Sequence, residues 1–166
     1  IATVARIELC SKRQDRIINI AKMLKNEGVK FAWYLVGGGM DFEKVSLEIK
    51  REGLEEQLIM TGMLDNPYPY IINSDLFVLT SDTESYGIVL KEAIMCGTPV
   101  ITTNFPAVAE VVEDNVNGCI ISMNENDIFK KLYYLISNKT ELERLSKNCQ
   151  STTWKESKEF EIMIEA

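Results

Sequence analysis

The amino-acid sequence predicts an α/β fold built on a doubly wound, mostly parallel sheet. Short apolar runs of strand length alternate with helix-periodic segments from one end to the other, and glycines at 28, 53 and 97 close the helical segments. Strand–helix repetition needs crossover connections, and crossovers generate parallel neighbours.

Taken in order, Ala2–Arg6 is the first strand. Ile17, Ile18, Ala21 and Leu24 then recur on one helical face until Gly28 stops the helix. Phe31–Val36 is a continuous apolar strand that runs into a tight turn, Gly37-Gly38-Gly39. Phe42–Glu52 is helical with Val45 and Ile49 inward, and Leu58–Thr61 is a short third strand. Pro67–Asn73 is a short helix, Leu76–Leu79 the fourth strand, and Gly87–Met95 a helix halted at Gly97. Pro99–Thr102 is the fifth strand, Val108–Val112 a short helical segment, and Cys119–Ile121 the sixth strand. Asn124 is placed to cap a helix carrying Ile128, Leu132, Leu135 and Ile136, and Thr140 a last helix with Leu142 and Leu145 inward. Residues 1–150 form one domain on this reading. Residues 151–166, with Trp154, Phe160, Ile162 and Ile164 among charges, are expected to form a tail or helix that packs towards a missing N-terminal half.

Composition removes several function classes. At 166 residues, 46% apolar and 26% charged, the chain has the balance of a globular domain with a real core. No apolar run approaches the roughly 18 residues that span a bilayer. The sequence does not begin with Met and opens directly on a strand, so a fragment of a longer protein is expected. A net charge of −7 argues against nucleic acid as a partner, because such binding rests on a basic surface. It leaves room for a small anionic ligand, since a few local cations outweigh distant charge. With no histidine, the chain cannot itself form a Ser-His-Asp triad, a Cys-His pair or a His-ligated zinc site. Cys10, Cys96, Cys119 and Cys149 lack C-x-x-C spacing and are expected to be reduced, buried thiols.

In open α/β sheets, ligands sit where the C-terminal ends of strands meet helix N-termini, whose unpaired N–H groups favour phosphate. Three loops lie on that edge: Ile7–Gln14, Gly37–Asp41 and Ser81–Gly87. The third continues into Ile88-Val89-Leu90-Lys91-Glu92-Ala93, so Glu84 in the loop and Glu92 in the helix stand eight positions apart. Gly87 between them lets backbone approach a ligand closely. Carboxylates accept bonds from vicinal hydroxyls and loop amides donate to phosphate oxygens, a combination suited to a molecule holding sugars and a diphosphate.

The string ESYGIVLKEAIMCGTPVI resembles the E-x7-E motif and the following E-A-x-x-x-G-x-P-V-I stretch of the retaining, group 1 glycosyltransferases of GT-B fold. VARIELCSKRQDRIINIAKML is similar to that family's G-R-x5-K-G opening, with Ala5 and Arg13 where glycines are usual. YLVGGGMDFEKV, ITGMLDN, NSDLFVLTSDTESYG and PAVAEVVEDNVNGCII follow the family's further segments, with Asn73 in place of a common alanine. The resemblance covers nearly all of residues 1–150.

It implies a Rossmann-like, donor-binding half of a two-domain enzyme. Arg6 and Lys12 would neutralise the donor diphosphate, and Glu84 would hold hydroxyls of the transferred sugar. Amides of Tyr86, Gly87 and Ile88 would lie near the sugar and β-phosphate, Glu92 on the ribose, and the backbone of Met63 at the base. Gly37 and Gly39 would shape the neighbouring loop. The implied reaction is transfer with retention from a UDP-, GDP- or ADP-type sugar, without a metal or other cofactor. Asp82-Thr83-Glu84 is only a loose imitation of a D-x-D metal pair. The acceptor, a saccharide or lipid-linked saccharide in cell-surface or capsular polysaccharide synthesis, would be held by the absent N-terminal domain. The implied location is cytoplasmic, at the inner face of the membrane.

Other readings stay open. Alone, Arg6, Lys12 and Glu92 are ordinary surface charges, and Gly37-Gly38-Gly39 is an ordinary turn. A dinucleotide G-x-G-x-x-G would need glycine where Phe42 stands. A sugar-nucleotide epimerase of the same fold and a non-catalytic nucleotide-binding module are the competing functions. Glu8 has no evident role.

Overall fold

The structure, a computed structural model, describes residues 1–151. Six strands run β1 (Ala2–Val4), β2 (Trp33–Val36), β3 (Leu58–Gly62), β4 (Phe77–Leu79), β5 (Val100–Thr103) and β6 (Gly118–Ile121). Helices α1 (Gln14–Asn26), α2 (Phe42–Arg51), α3 (Tyr68–Ile72), α4 (Ile88–Met95), α5 (Glu125–Ser137) and α6 (Lys139–Gln150) alternate with them, and Val108–Glu110 forms a 3-10 turn. The strands pair in parallel in the order β3-β2-β1-β4-β5-β6. This is the expected doubly wound sheet.

Burial on both faces explains why the strands are continuously apolar instead of alternating. In β4, Val78 enters the core beneath α1, α2 and α5, while Phe77 and Leu79 enter the core beneath α3 and α4. Trp33, fully buried, donates its indole N–H to Thr3 Oγ1 at 3.0 Å, and the Thr3 hydroxyl donates to the Val78 carbonyl at 2.6 Å. Burying a Leu or Ile side chain contributes about 1.5–3 kcal/mol. The two cores therefore hold the sheet rigid beneath its loops.

The elements expected from the sequence are present, with edges moved by one or two residues. One cap is corrected. The last helix starts at Lys139, and Asn138, not Thr140, accepts from the Glu141 N–H at 3.2 Å. Asn138 closes α5 and opens α6, so no separate loop exists for Thr140 to end. The cysteines are a second correction: Cys119 and Cys149 are buried thiols, but Cys96 is only half-buried and Cys10 is exposed on the loop after β1. Beyond Ser151, the tail expected to pack elsewhere lies outside the described residues.

Candidate functional site

Between β1 and β4 the sheet reverses its winding, the point where loops of an open α/β sheet diverge and a ligand crevice forms at the C-terminal edge. Backbone bonds knit those loops together at its floor. The Asp82 N–H donates to the Ser11 carbonyl at 2.9 Å, and the Thr80 hydroxyl is 3.2 Å from the carbonyls of both Lys12 and Arg13. The glycine turn after β2 packs on the same loop, with the Ile7 N–H donating to the Gly38 carbonyl at 2.9 Å. A Cβ on Gly37 would fall 2.0 Å from the Ala5 carbonyl oxygen, and one on Gly39 2.3 Å from that of Ile7. No larger residue fits there, so these glycines shape the loop after β1.

Lys12 and Glu84, 72 positions apart, meet across the crevice with Nζ 2.6 Å from Oε1. Both side chains are mostly buried, at 17% and 12% exposure. The Ser81 hydroxyl donates to the same Oε1 at 2.7 Å, so two donors pin one oxygen of Glu84. Beyond them Gly87 adopts a left-handed conformation, φ 59°, and opens α4 with no side chain capping it. First-turn amides of a helix lack partners within it and carry partial positive charge. Tyr86 and Ile88 are exposed.

Glu92 lies one turn into α4, where the Tyr68 hydroxyl donates to its Oε1 at 3.2 Å. Burial pushes the Glu92 carboxyl above its ordinary pKa, and the Tyr68 bond offsets part of that rise. Burial and the neighbouring Glu92 charge push the Tyr68 phenol up to about 12. Met63 stands exposed just past β3, facing Gly38. Arg6, at the head of the loop after β1, is exposed and makes no ion pair among the described residues. Thus Lys12 and Glu84 touch, while Arg6, Met63, Tyr86, Gly87, Ile88 and Glu92 lie on loops and a helix start at the same sheet edge.

Several residues that build the site were not singled out by the sequence. Gln14, fully buried, donates to the Arg6 carbonyl at 2.8 Å and accepts from the Glu8 N–H at 3.1 Å, folding the first loop back on itself. Glu8, left without a role, accepts the Ser11 hydroxyl. Asp41 accepts the Leu9 N–H at 2.9 Å instead of capping α2. Asp82 binds two arginines: Arg13 Nη1 at 2.8 Å on Oδ2 and Arg16 Nη1 at 2.6 Å on Oδ1. Burial raises the Asp82 carboxyl, but the hydrogen bond from Arg13 and the adjacent Arg16 guanidinium outweigh it and hold the pKa below its usual value. Small polar residues beside a glycine-bearing loop were the available signal, and it does not distinguish these from solvent-facing ones.

Among the described residues no group of three His, Cys, Asp or Glu side chains is arranged to hold a metal ion. None of their helices is long and apolar enough to cross a membrane. A separate cavity of about 770 Å³ opens at the opposite sheet edge, lined by Ile1, Ala32, Leu76 and Pro99 at or beside strand starts, and holds none of the residues above.

Residues 1–152 match the family model described as glycosyl transferases group 1. The chain is 31% identical over 112 residues to the N-acetyl-alpha-D-glucosaminyl L-malate synthase of Bacillus anthracis, covering 68% of this chain and 29% of that protein. It is 30% identical over 132 residues to the poly(ribitol-phosphate) alpha-N-acetylglucosaminyltransferase of Staphylococcus aureus, covering 77% of this chain and 26% of that protein. The chain therefore spans under a third of the length of these relatives. Among solved structures, a point mutant of S. aureus TarM in complex with Fondaparinux, alpha-GlcNAc-glycerol and UDP superposes with a TM-score of 0.85 at 23% identity, over 99% of this chain and 33% of that one. The C-terminal domain of the group 1 protein LpcC from Francisella tularensis superposes with a TM-score of 0.81 at 25% identity, over 94% of this chain and 86% of that one.

Proposed function

The chain belongs to the group 1 glycosyltransferases and has the Rossmann-like fold of their GT-B enzymes, and from that premise we propose that it is the donor-binding half of a retaining enzyme. The donor is a nucleoside-diphosphate sugar, and the acceptor is a saccharide or lipid-linked saccharide of a cell-surface or capsular polysaccharide. The contact between Lys12 and Glu84 at the reversal point of the sheet carries this reading. It joins the cation proposed for the diphosphate to the carboxylate proposed for the sugar. Structures of Anabaena HepE with UDP and glucose, alike in fold, add support for a UDP-type donor.

In the proposed complex the diphosphate lies over the uncapped start of α4, at the amides of Tyr86, Gly87 and Ile88. Lys12 turns from Glu84 to a phosphate oxygen, and Arg6 supplies the second cation. Glu84 takes sugar hydroxyls on the oxygen that Lys12 and Ser81 leave open, Glu92 takes the ribose, and the backbone of Met63 meets the base. As the anomeric bond breaks, negative charge grows on the departing diphosphate, and cations already in place stabilise it without reorganising. The reaction needs no metal on this reading. Retention means that the acceptor oxygen bonds the anomeric carbon on the face the diphosphate leaves.

The acceptor site, in this account, lies on a second lobe, and a site between lobes is assembled only on closure. The 166-residue chain alone is then expected to bind donor weakly and to transfer little. The full-length protein, given UDP-, GDP- and ADP-sugars with saccharide acceptors, should transfer one of them with the anomeric configuration kept, read from the product's coupling constants by NMR. Inverted product, or isomerised donor without transfer as from an epimerase, would overturn the proposal. Expression as a cytoplasmic protein at the inner face of the membrane is expected on the same reading and is checked by fractionation.

A further inference from the structure

We propose that Asp82 is a positioning residue for donor capture. Its carboxylate binds Arg13, at the N-cap of α1, and Arg16, in the first turn, and so sets the loop bearing Glu84 against the loop bearing Lys12. The inference rests on the donor site proposed above and adds to it the part that fixes its geometry.

The pin lies close to both groups it would set. Asp82 is two residues before Glu84, and Arg13 directly follows Lys12. Each carboxylate oxygen takes a different arginine, Arg13 on Oδ2 and Arg16 on Oδ1. Each arginine also has a second anchor. Arg13 Nε and Nη2 reach the Asp15 carboxylate at 2.8–3.2 Å, and Arg16 Nη1 donates to the Thr80 carbonyl at 2.9 Å. Doubly held arginines cannot swing away as an isolated surface pair does, and networks with one buried member contribute where single exposed pairs do not. Arg16 is that member, 7% exposed.

The backbone supports the same assignment. Arg13 sits in the left-handed region, φ 56°, where an L residue with a side chain is disfavoured and glycine is free. An arginine held there points to a task for its side chain. That task is not donor binding, because the Arg13 guanidinium is spent on Asp15 and Asp82. Lys12 and Arg6 remain as the cations that meet the diphosphate.

The test pairs amide hydrogen exchange with UDP titration of the protein, comparing it with Asp82→Ala, Asp82→Asn and Arg13→Gly. In Asp82→Ala, exchange in segments 9–13 and 81–86 should rise about tenfold or more while β3 and α5 stay unchanged, because only the local opening equilibrium moves. UDP affinity should fall about five- to twentyfold, yet less than about twofold when the same change is made in a Lys12→Ala background, since coupled residues are non-additive. Asp82→Asn, which keeps the shape and loses the charge, should fall between. Arg13→Gly suits the backbone and should show a weaker form of both effects even where Asp82→Ala fails to fold. Equal losses in both backgrounds, or exchange raised throughout the chain, would make Asp82 a general stabiliser and overturn the proposal. Absence of UDP, GDP and ADP binding in the unsubstituted protein would instead defeat the donor reading, and unchanged exchange in the two segments would by itself defeat the pin.

Discussion

At the β1–β4 crevice, loops are cross-tied by backbone bonds, by the Lys12–Glu84 contact and by two arginines on one aspartate, whereas beyond β2 and β3 Met40 and Met63 stand 83% and 81% exposed. One side of the same sheet edge presents charges at fixed positions, and the other presents flexible thioether side chains above a glycine turn. Fixed charge suits a diphosphate, whose charge is the same under every base and sugar. An adaptable apolar surface suits a flat ring met through backbone. Function should therefore be steeply sensitive to substitution on the first side and shallowly so on the second.

The largest expected effect is that of Lys12→Ala. A charge-assisted bond contributes about 1.5–3 kcal/mol, so UDP affinity should drop about ten- to a hundredfold by calorimetry. Turnover of the full-length enzyme should fall further, by about a hundredfold or more, as when a preorganised stabiliser of a leaving oxyanion is removed. Glu84→Gln comes next. It keeps the side chain's shape but replaces a charged acceptor, and donor-sugar affinity should fall about tenfold while that for the nucleoside diphosphate alone changes less. Loss of both equally would place Glu84 elsewhere than on the sugar.

Tyr68→Phe sharpens the comparison at its border. The Tyr68 bond is what lowers the Glu92 pKa against burial, so without it the carboxyl moves further up. In the ribose role proposed for Glu92 the carboxylate is ionised, so the acid limb of the affinity–pH curve should shift to higher pH, with an affinity loss of about threefold at neutral pH. The stability effect has the opposite sense. A raised carboxyl pKa contributes stability below the unfolded value that is lost as pH rises through the folded one, so Glu92→Gln should be the more stable protein at neutral pH. Thermal unfolding at pH 4 and pH 7 checks this. The smallest effect is expected from Met63→Ala, less than about twofold on UDP affinity, because the contact proposed there is made by backbone and survives loss of the side chain. A tenfold loss there would erase the proposed asymmetry.

Periodicity and apolar runs placed all six strands, because a sheet buried on both faces leaves continuous hydrophobic strands between amphipathic helices. Asn138 escaped notice since one residue ends α5 and begins α6, and nothing in the run Ser137-Asn138-Lys139-Thr140 distinguishes its two candidate caps. Lys12 and Glu84 were singled out through the family resemblance, and the strand order brings them together although 72 positions separate them. Tyr68, Asp41, Gln14 and Asp82 were not, because their partners are fixed by tertiary packing and not by sequence neighbourhood. Asp82 shows this most plainly: beside Glu84 it imitates half of a metal pair, while its carboxylate is already committed to Arg13 and Arg16.

A crystal structure of the protein with UDP and its sugar donor bound tests the central claim most directly. The account predicts Lys12 Nζ moved from Glu84 onto a phosphate oxygen, the phosphate at the N–H groups that open α4, Glu84 on the sugar, and Glu92 on the ribose. A nucleotide seated in the cavity beside Ile1 and Pro99, with Lys12 and Glu84 still paired to each other, would contradict it.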